Sequence, residues 1–391
     1  MMLLLGAVLA AQPPPGFTRR EALERAAQHG PELVASNSAI AVSQAGVRTA
    51  SQLPNPTVGV SYGPDEPKLY GTVDQKFPIF GQRGTAIDAA RAELELAQAT
   101  LDAQRLESLV AVDRAYTALS AAVAQVDVSL DAASLARQLV DKTKAKVDAR
   151  LAPELDLQQA QLAARRAEQD AVDRAAVVEG ARARLAALLG LPIEPGVDPK
   201  EPLTPLPPLP AQPAQEPPQV RVSESERAAA ERRADRERAA IRPNPDVTVE
   251  LERLGADNGG PTEFGVRGTV AVDLPVLSQN GGNVAAQVAQ ADQAETRTKA
   301  ARAHFDAERA AALAKWRAAV SRAQFEVAED VPVAIRVRDL ARTAQELGRV
   351  PLMALIAAET DVNHSRAAAI DAEAAVWDAR DDVLASTGGA P

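Results

Sequence analysis

The chain has 391 residues, a formal net charge of −10, no cysteine and an aromatic content of only 3%. The lack of cysteine excludes disulfides, thiolate metal sites and cysteine nucleophiles, and the acidic balance argues against a general nucleic-acid binder, which normally carries a basic face. Because the apolar 46% is mostly alanine and valine, the composition favours long helices packed along narrow seams over a thick globular core.

The N-terminal segment is typical of an export signal. Residues 1–12 form a short apolar run that ends in small residues, although the basic residues that usually precede such a run are missing. We therefore predict a partial signal peptide over residues 1–16, with a plain apolar terminus as the alternative. No other stretch reaches the roughly 18 consecutive apolar residues that a membrane-spanning helix needs.

A proline-rich tract divides the chain into two similar halves. Eleven prolines lie between residues 192 and 218, a density that is typical of an extended linker. The landmarks that recur in the same order on both sides are Pro54-Asn55-Pro56 and Pro243-Asn244-Pro245, Phe77-Pro78-Ile79-Phe80 and Leu274-Pro275-Val276-Leu277, Ala152-Pro153 and Val350-Pro351, and Gly190 and Gly388. They predict an internal duplication, with repeats over 17–190 and 219–391 and a linker over 191–218.

Each repeat is predicted to contain a helix, two strands, a long helix, a turn and a final helix. The first helix begins at a capping box formed by Thr18 and Glu21 and runs to about Leu53, where prolines end it. The spans that follow in the first repeat are strands 56–63 and 69–78 and helices 82–150 and 153–189. The corresponding spans in the second repeat, after its own first helix, are strands 246–254 and 263–275 and helices 279–347 and 351–387.

The long helices exceed what one globular core accommodates. Residues 82–150 contain no proline, and at 1.5 Å per residue this helix would be roughly 100 Å long. Apolar residues from Leu109 to Ala133 recur in steps of three and four, and those from Leu355 to Val383 recur every seven residues. These heptad patterns predict coiled-coil packing.

The predicted strands alternate between apolar and polar residues. In residues 247–252, for example, valine and leucine alternate with threonine and glutamate. Strands of about ten residues with this period fit membrane-spanning β-strands, and five of the eleven aromatic residues lie in or beside them. A soluble sheet with one buried face would show the same alternation.

The number of strands constrains the membrane alternative. Four strands cannot close a barrel, and an open sheet edge cannot face lipid. Several chains would therefore have to share one barrel, and three chains would supply twelve strands around an aqueous lumen. The polar hairpins 63–67 and 255–261 would then face the exterior.

Several short motifs carry a resemblance to a known family. They are Glu21-Ala22-Leu23 with Pro31-Glu32-Leu33, the two Pro-Asn-Pro helix ends, Phe77-Pro78-Ile79-Phe80-Gly81, Leu151-Ala152-Pro153-Glu154-Leu155-Asp156 and Gly348-Arg349-Val350-Pro351. With these motifs the chain resembles the TolC-like outer-membrane efflux proteins over essentially residues 17–388, and within them the outer-membrane components of heavy-metal RND systems.

The resemblance implies a mainly α fold with a small β contribution. The expected assembly is a homotrimer, with a twelve-stranded β-barrel in the cell outer membrane and an α-helical barrel in the periplasm. The expected partners are a periplasmic adaptor protein, an inner-membrane RND-type pump and outer-membrane lipid. The proline tract lies where this family has an equatorial belt, and both an ordered strap and a disordered linker fit it.

The resemblance also implies functional positions at the helix-hairpin turns. In this family the turns receive the adaptor, and the matching residues are Arg150, Leu151, Ala152, Pro153, Gly348, Arg349, Val350 and Pro351. Some members carry an acidic ring just beyond the second turn, but Ala354 and Ala357 occupy those places here. A constriction would then come from Glu154, Asp156 or Glu359; the alternatives are plain turns and ordinary solvated carboxylates.

Nothing in the sequence indicates catalysis. It contains no Gly-rich phosphate loop and no nucleophile constellation, and its three histidines are far apart, so we expect no enzyme activity, no cofactor and no metal site. The leading hypothesis is a passive exit duct for small substrates such as metal cations or drugs. The alternative is a soluble, elongated coiled-coil scaffold or adaptor. The sequence leaves open the substrate and whether the pump is of the RND or type I secretion kind.

Overall fold

The computed structural model describes residues 16–63, 69–193, 197–210, 216–254, 263–277, 279–389 and 391. The predicted signal peptide up to residue 15, the hairpin 255–261 and the hairpin 63–67 apart from Gly63 lie outside these residues.

The described chain is mainly helical. Its helices are α1 (Arg19–His29), α2 (Pro31–Ser51), α3 (Gln82–Asp148), α4 (Glu154–Leu188), α5 (Pro218–Ala240), α6 (Gly281–Phe325), α7 (Val331–Glu346) and α8 (Leu352–Thr387). Its strands are β1 (Gly16–Phe17), β2 (Thr57–Tyr62), β3 (Leu69–Lys76), β4 (Asp198–Pro199), β5 (Pro245–Leu254) and β6 (Glu263–Val272). The two-residue strands β1 and β4, which pair in parallel, were not anticipated from the sequence.

The first predicted helix is divided in two. The capping box at Thr18 and Glu21 is confirmed, but α1 ends at Gly30 and α2 begins at Pro31, so the prediction of one helix to Leu53 was wrong. Gly30 has an extended ψ of 127°, because the proline ring that follows disfavours the helical conformation of the residue before it.

The predicted helix 279–347 is also interrupted. A π-helical turn over Glu326–Asp330 separates α6 from α7. Pro332 lies just after this turn and has no N–H to donate to the carbonyl of Ala328, so a regular α-helix cannot continue through it. In the first repeat α3 runs unbroken for 67 residues.

The residues form two compact units, of which the first comprises residues 16–34, 104–217 and 304–391. Its main cluster is built around Tyr116 and Leu119 of α3, which are almost fully buried against Ala22 and Ala26 of α1 and Leu185 of α4. An 18-residue window in α3 is apolar enough to span a membrane by composition. The core helix of a soluble protein meets the same criterion, and only a third of that window is buried in the structure.

The described part of the proline-rich linker is ordered within this first unit. The Tyr116 hydroxyl donates a hydrogen bond to the carbonyl of Phe17 (3.0 Å) in β1, and the indole N–H of Trp377 donates to the carbonyl of Leu203 (2.8 Å). Residues 197–203, which we call the belt segment, are therefore anchored to α3 and α8 through β1 and these side chains.

The second unit comprises residues 35–103 and 218–303 and contains a four-stranded antiparallel sheet. The strand order is β2-β3-β5-β6, so strands from both predicted repeats pair at its centre. The central pairing aligns Thr72 with Glu250 and Val73 with Val249. β2 and β6 are the edge strands of this sheet.

Candidate functional site: a two-faced sheet and two hairpin turns

One face of the four-stranded sheet is apolar and exposed. The strand register places Val60, Gly71, Leu251 and Val266 side by side in one row across the sheet. The side chains of Val60 and Val266 are each 74% exposed. A soluble sheet buries such a face, so this arrangement disfavours the soluble-scaffold alternative.

Aromatic residues mark one end of this apolar face. Tyr62 and Phe264 lie in the last row that crosses all four strands on the hairpin side, where Tyr62 pairs with Leu69, Leu69 with Arg253 and Arg253 with Phe264. Both aromatic rings are more than two-thirds exposed. Aromatic residues at this level are typical of the boundary between lipid and water.

The opposite face is polar and carries an excess of carboxylates. The hydroxyl of Thr248 donates to Asp74 Oδ1 across the central strand pair (2.5 Å). Arg267 Nη2 lies 2.9 Å from Glu252 Oε1, and its Nη1 lies 3.7 Å from Glu250 Oε2. Glu252 is only 8% exposed, so this polar face is more sheltered than the apolar one.

The two helix-hairpin turns have the same backbone design. In the first, Arg150 donates its N–H to the carbonyl of Val147 (2.8 Å), and Leu151 donates to Lys146 (2.7 Å). This is the Schellman pattern, in which a residue in the left-handed conformation follows the helix end, and Arg150 has a φ of +60°.

The second turn repeats this pattern 198 residues later. Gly348 has a φ of +68° and donates to Gln345 (3.0 Å), and Arg349 donates to Ala344 (2.8 Å). Pro153 and Pro351 are themselves the extended residues that directly precede α4 and α8. Leu151 is 79% exposed at the first turn, while Ala152 and Val350 are half-buried.

The three predicted constriction residues have different environments. Glu154 is exposed and accepts a hydrogen bond from Gln158 one turn along α4 (3.0 Å). Asp156 is half-buried in the first turn of α4. Glu359 instead accepts from Arg342 of α7 (2.7 Å), and this hydrogen bond raises the pKa of the guanidinium.

Glu359 also faces a cavity of about 480 Å³ among α3, α4, α7 and α8. Lys142 and Lys146 of α3 line it together with Arg342, and the Lys146 ammonium donates to Gln345 (3.4 Å). Glu154 and Asp156 do not line this cavity, so the structure separates Glu359 from them. Sequence reasoning missed the two lysines, whose i, i+4 spacing on one helix face was the available signal.

Comparisons with known proteins agree with this geometry. The family model described as outer membrane efflux protein matches residues 22–191. Over these residues the chain is similar to the outer membrane efflux family. The predicted family, the function as an outer-membrane exit duct and the location in the outer membrane are therefore confirmed.

Individual known proteins are similar over much of the chain. The cobalt-zinc-cadmium resistance protein CzcC of Cupriavidus metallidurans is 27% identical over 292 residues, which cover 71% of this chain and 68% of that protein. A membrane protein from Pseudomonas aeruginosa superposes with a TM-score of 0.80 at 18% identity, covering 96% of this chain and 92% of that one.

The Campylobacter jejuni CmeC outer membrane channel superposes with a TM-score of 0.79 at 13% identity, covering 95% of this chain and 86% of that channel. At such low identity these two structures establish the fold alone. The mainly helical fold predicted from the sequence is thereby confirmed as that of the TolC-like channels.

Proposed function

We propose that three copies of this chain form one passive exit duct, in which their sheets close a twelve-stranded barrel in the outer membrane and their helices form a barrel in the periplasm. The observation that carries this proposal is the open four-stranded sheet with an exposed apolar face. The edge strands β2 and β6 need partner strands, because an unpaired strand edge is not tolerated in lipid.

The polar face of the sheet supports an aqueous lumen. Carboxylates from three rows, Asp74, Glu250 and Glu252, share this face with Arg267. Charged groups of this kind require water or mutual pairing, which a barrel interior supplies and the lipid side does not. Closing the barrel therefore pairs the edge strands and at the same time places these charged groups around the transport path.

We assign adaptor docking to the two turns, that is to Arg150, Leu151, Ala152 and Pro153, and to Gly348, Arg349, Val350 and Pro351. The support is their matched backbone, the exposed Leu151 and one arginine in each turn. An exposed leucine beside a guanidinium is suited to a helical partner that offers an apolar side chain and a carboxylate. The partner would be a periplasmic adaptor linked to an inner-membrane pump of the RND type.

For the narrow part of the duct we propose Glu154 and Asp156 as the acidic groups that permeating cations meet. Both lie in the first turn of α4, where a negatively charged side chain interacts favourably with the helix dipole. Glu359 contributes less, because its charge is offset by Arg342.

We propose divalent metal cations as the exported substrate class. The support is the similarity to CzcC, whose name describes cobalt, zinc and cadmium resistance, together with the acidic polar face of the sheet. The chain supplies no energy in this scheme, since it acts as a conduit for the pump.

The duct is tested by reconstitution. Purified full-length protein is cross-linked in detergent and then added to planar lipid bilayers. We expect a cross-linked trimer and stepwise ionic conductance. A protein that stays monomeric and gives no conductance would contradict the proposal.

The docking assignment has a separate test that uses the absence of native cysteine. A photoactivatable cross-linker is attached at Leu151→Cys in cells that contain the adaptor. Leu162→Cys, at an α4 leucine whose side chain is likewise exposed (51%), is the matched control. Adaptor capture at both positions, or only at the control, would overturn the docking assignment.

A further inference from the structure

A buried pair of carboxyl groups lies in the first unit and has no part in the duct described above. Asp113 of α3 and Asp381 of α8 are both 0% exposed. Arg380 Nη1 bridges them, at 2.8 Å from Asp113 Oδ2 and 3.3 Å from Asp381 Oδ1. Asp113 Oδ1 also accepts from Arg19 Nη1, so Asp113 has a cationic donor on each oxygen.

Asp381 has fewer hydrogen-bond donors than Asp113. Its Oδ1 has only the longer contact to Arg380, and its Oδ2 is buried with no hydrogen-bond partner among the described residues. A buried carboxylate oxygen without a donor is costly. A proton on Asp381 removes that charge and supplies a donor toward Asp113. Burial and the neighbouring Asp113 carboxylate raise the pKa of Asp381 to about 9.

Other charged groups lie on the elements that pack around the pair. Arg114 of α3 and Lys315 of α6 both donate to Asp382, the lysine at 2.7 Å. Burial raises the pKa of Asp378, one turn before Asp382 on α8. The backbone N–H of Arg19 donates to Glu201 of the belt segment (3.2 Å). The charged groups on the elements around the pair are thus Arg19, Arg114, Glu201, Lys315, Asp378, Arg380 and Asp382. Of these, Arg19 and Arg380 act on Asp381 directly.

The pair is coupled to the N-terminal segment through Arg19. The Arg19 guanidinium stacks over Trp377, 3.7 Å from the ring centroid, and lies 4.9 Å from that of Tyr116. It also donates to the Thr117 hydroxyl (3.0 Å). Arg19 follows β1 by two residues, and the same Tyr116 and Trp377 bind the carbonyls of β1 and of the belt segment.

We propose that Asp113 and Asp381 share a single proton that holds the N-terminal segment, residues 16–29, against α3 and α8, and that loss of this proton in alkaline medium releases the segment. Once both carboxylates are charged, they repel each other in a site of low dielectric constant and compete for Arg380. The contact that weakens first is the Arg380 bridge to Asp113, and Asp113 is the carboxylate that binds Arg19 at the start of α1.

The direction of the pH effect follows from linkage. In an opened state Asp381 meets water and ionises near its ordinary pKa of 3.8, whereas in the closed state it keeps its proton up to about pH 9. The closed state therefore holds one more proton throughout this window, and its advantage falls as pH rises. The opening constant is expected to increase by up to about tenfold per pH unit between pH 5 and 9.

A single buried thiol reports this opening in the full-length protein. Ser108 of α3 is 5% exposed and lies next to Gly30 at the end of α1, and Ser108→Cys is nearly isosteric. The rate at which a maleimide modifies this thiol is measured from pH 5 to 9, with and without Asp381→Asn. Because the ionisation of the thiol is the same in both backgrounds, the ratio of the two rates isolates the carboxyl pair.

We expect this rate ratio, parent over Asp381→Asn, to rise by at least about tenfold from pH 6 to pH 9. Asn mimics the protonated acid, so the variant should remain closed. Asp113→Asn should move the response to lower pH. Asp381 then has no charged carboxylate beside it, while the attraction of the Arg380 and Arg19 guanidinium groups remains. A ratio that does not change with pH overturns the proposal, and so does a response that Asp378→Asn removes while Asp381→Asn leaves it intact.

Discussion

Arg150 and Gly348 hold the same position in two turns that are 198 residues apart, and both have a left-handed backbone, with φ values of +60° and +68°. Glycine adopts this conformation without penalty, whereas a residue with a Cβ atom is strained in it. The first turn therefore keeps an arginine at a place where glycine would be more stable, which is consistent with a role for its guanidinium in docking.

Exchanging the residue type at these two positions should change stability in opposite directions. Arg150→Gly should stabilise the folded chain by about 1 kcal/mol, and Gly348→Ala should destabilise it by about 1 kcal/mol. No atom lies within 4 Å of a Cβ built at Gly348, so the second cost is conformational only. Thermal unfolding in detergent measures both changes. A loss of stability in Arg150→Gly would show that contacts of the Arg150 side chain stabilise the fold by more than its left-handed backbone costs.

Two neighbouring residues of β2 test which face of the sheet meets lipid. Val60→Lys places a charge on the apolar face and should cost about 2–4 kcal/mol per chain at the bilayer midplane. Ser61→Lys places the same charge on the polar face and should be tolerated. The amount of protein that fractionates with outer membranes measures the difference, and equal recovery of both variants would refute the assignment of faces.

Arg267 should set the ionic preference of the lumen. The described side chains of the polar face include four carboxylates, Asp74, Asp246, Glu250 and Glu252, and two cationic groups, Lys76 and Arg267. Arg267→Gln makes this face more acidic, so the cation-to-anion permeability ratio should rise about twofold and the rise should shrink in 1 M salt.

Reversal potentials in planar bilayers under a salt gradient give this ratio. Arg253→Gln is the matched control, because Arg253 lies on the same face as the apolar row of Leu69 and Phe264 and should not change it. An unchanged ratio in Arg267→Gln would mean that the polar face of the sheet does not line the transport path.

The candidate constriction residues should separate into two groups. Glu154→Gln and Asp156→Asn should each lower single-channel cation conductance, by about twofold or less. Glu359→Gln should leave conductance nearly unchanged, since Arg342 already neutralises this carboxylate. The same bilayer recordings decide the question, and a larger effect from Glu359→Gln than from the other two would reverse the assignment.

Much of the local structure was predictable because its causes are local. The capping box at Thr18, the helix ends before Pro54 and Pro243, and the left-handed glycines Gly190 and Gly388 follow from the chemistry of one or a few neighbouring residues. The break at Gly30–Pro31 has the same kind of local signal, because a proline disfavours the helical conformation of the residue before it.

The sequence by itself determined the alternation of the strands, the repeat landmarks and the positions of the turns, since each is a periodicity or a short motif. Only the tertiary structure decided that the strand pair in the middle of the sheet joins the two repeats, and that its apolar face is the exposed one. It also brought Arg19, Asp113 and Asp381 together from α1, α3 and α8. Such contacts depend on which helix faces meet across hundreds of residues, and no local pattern carries that information.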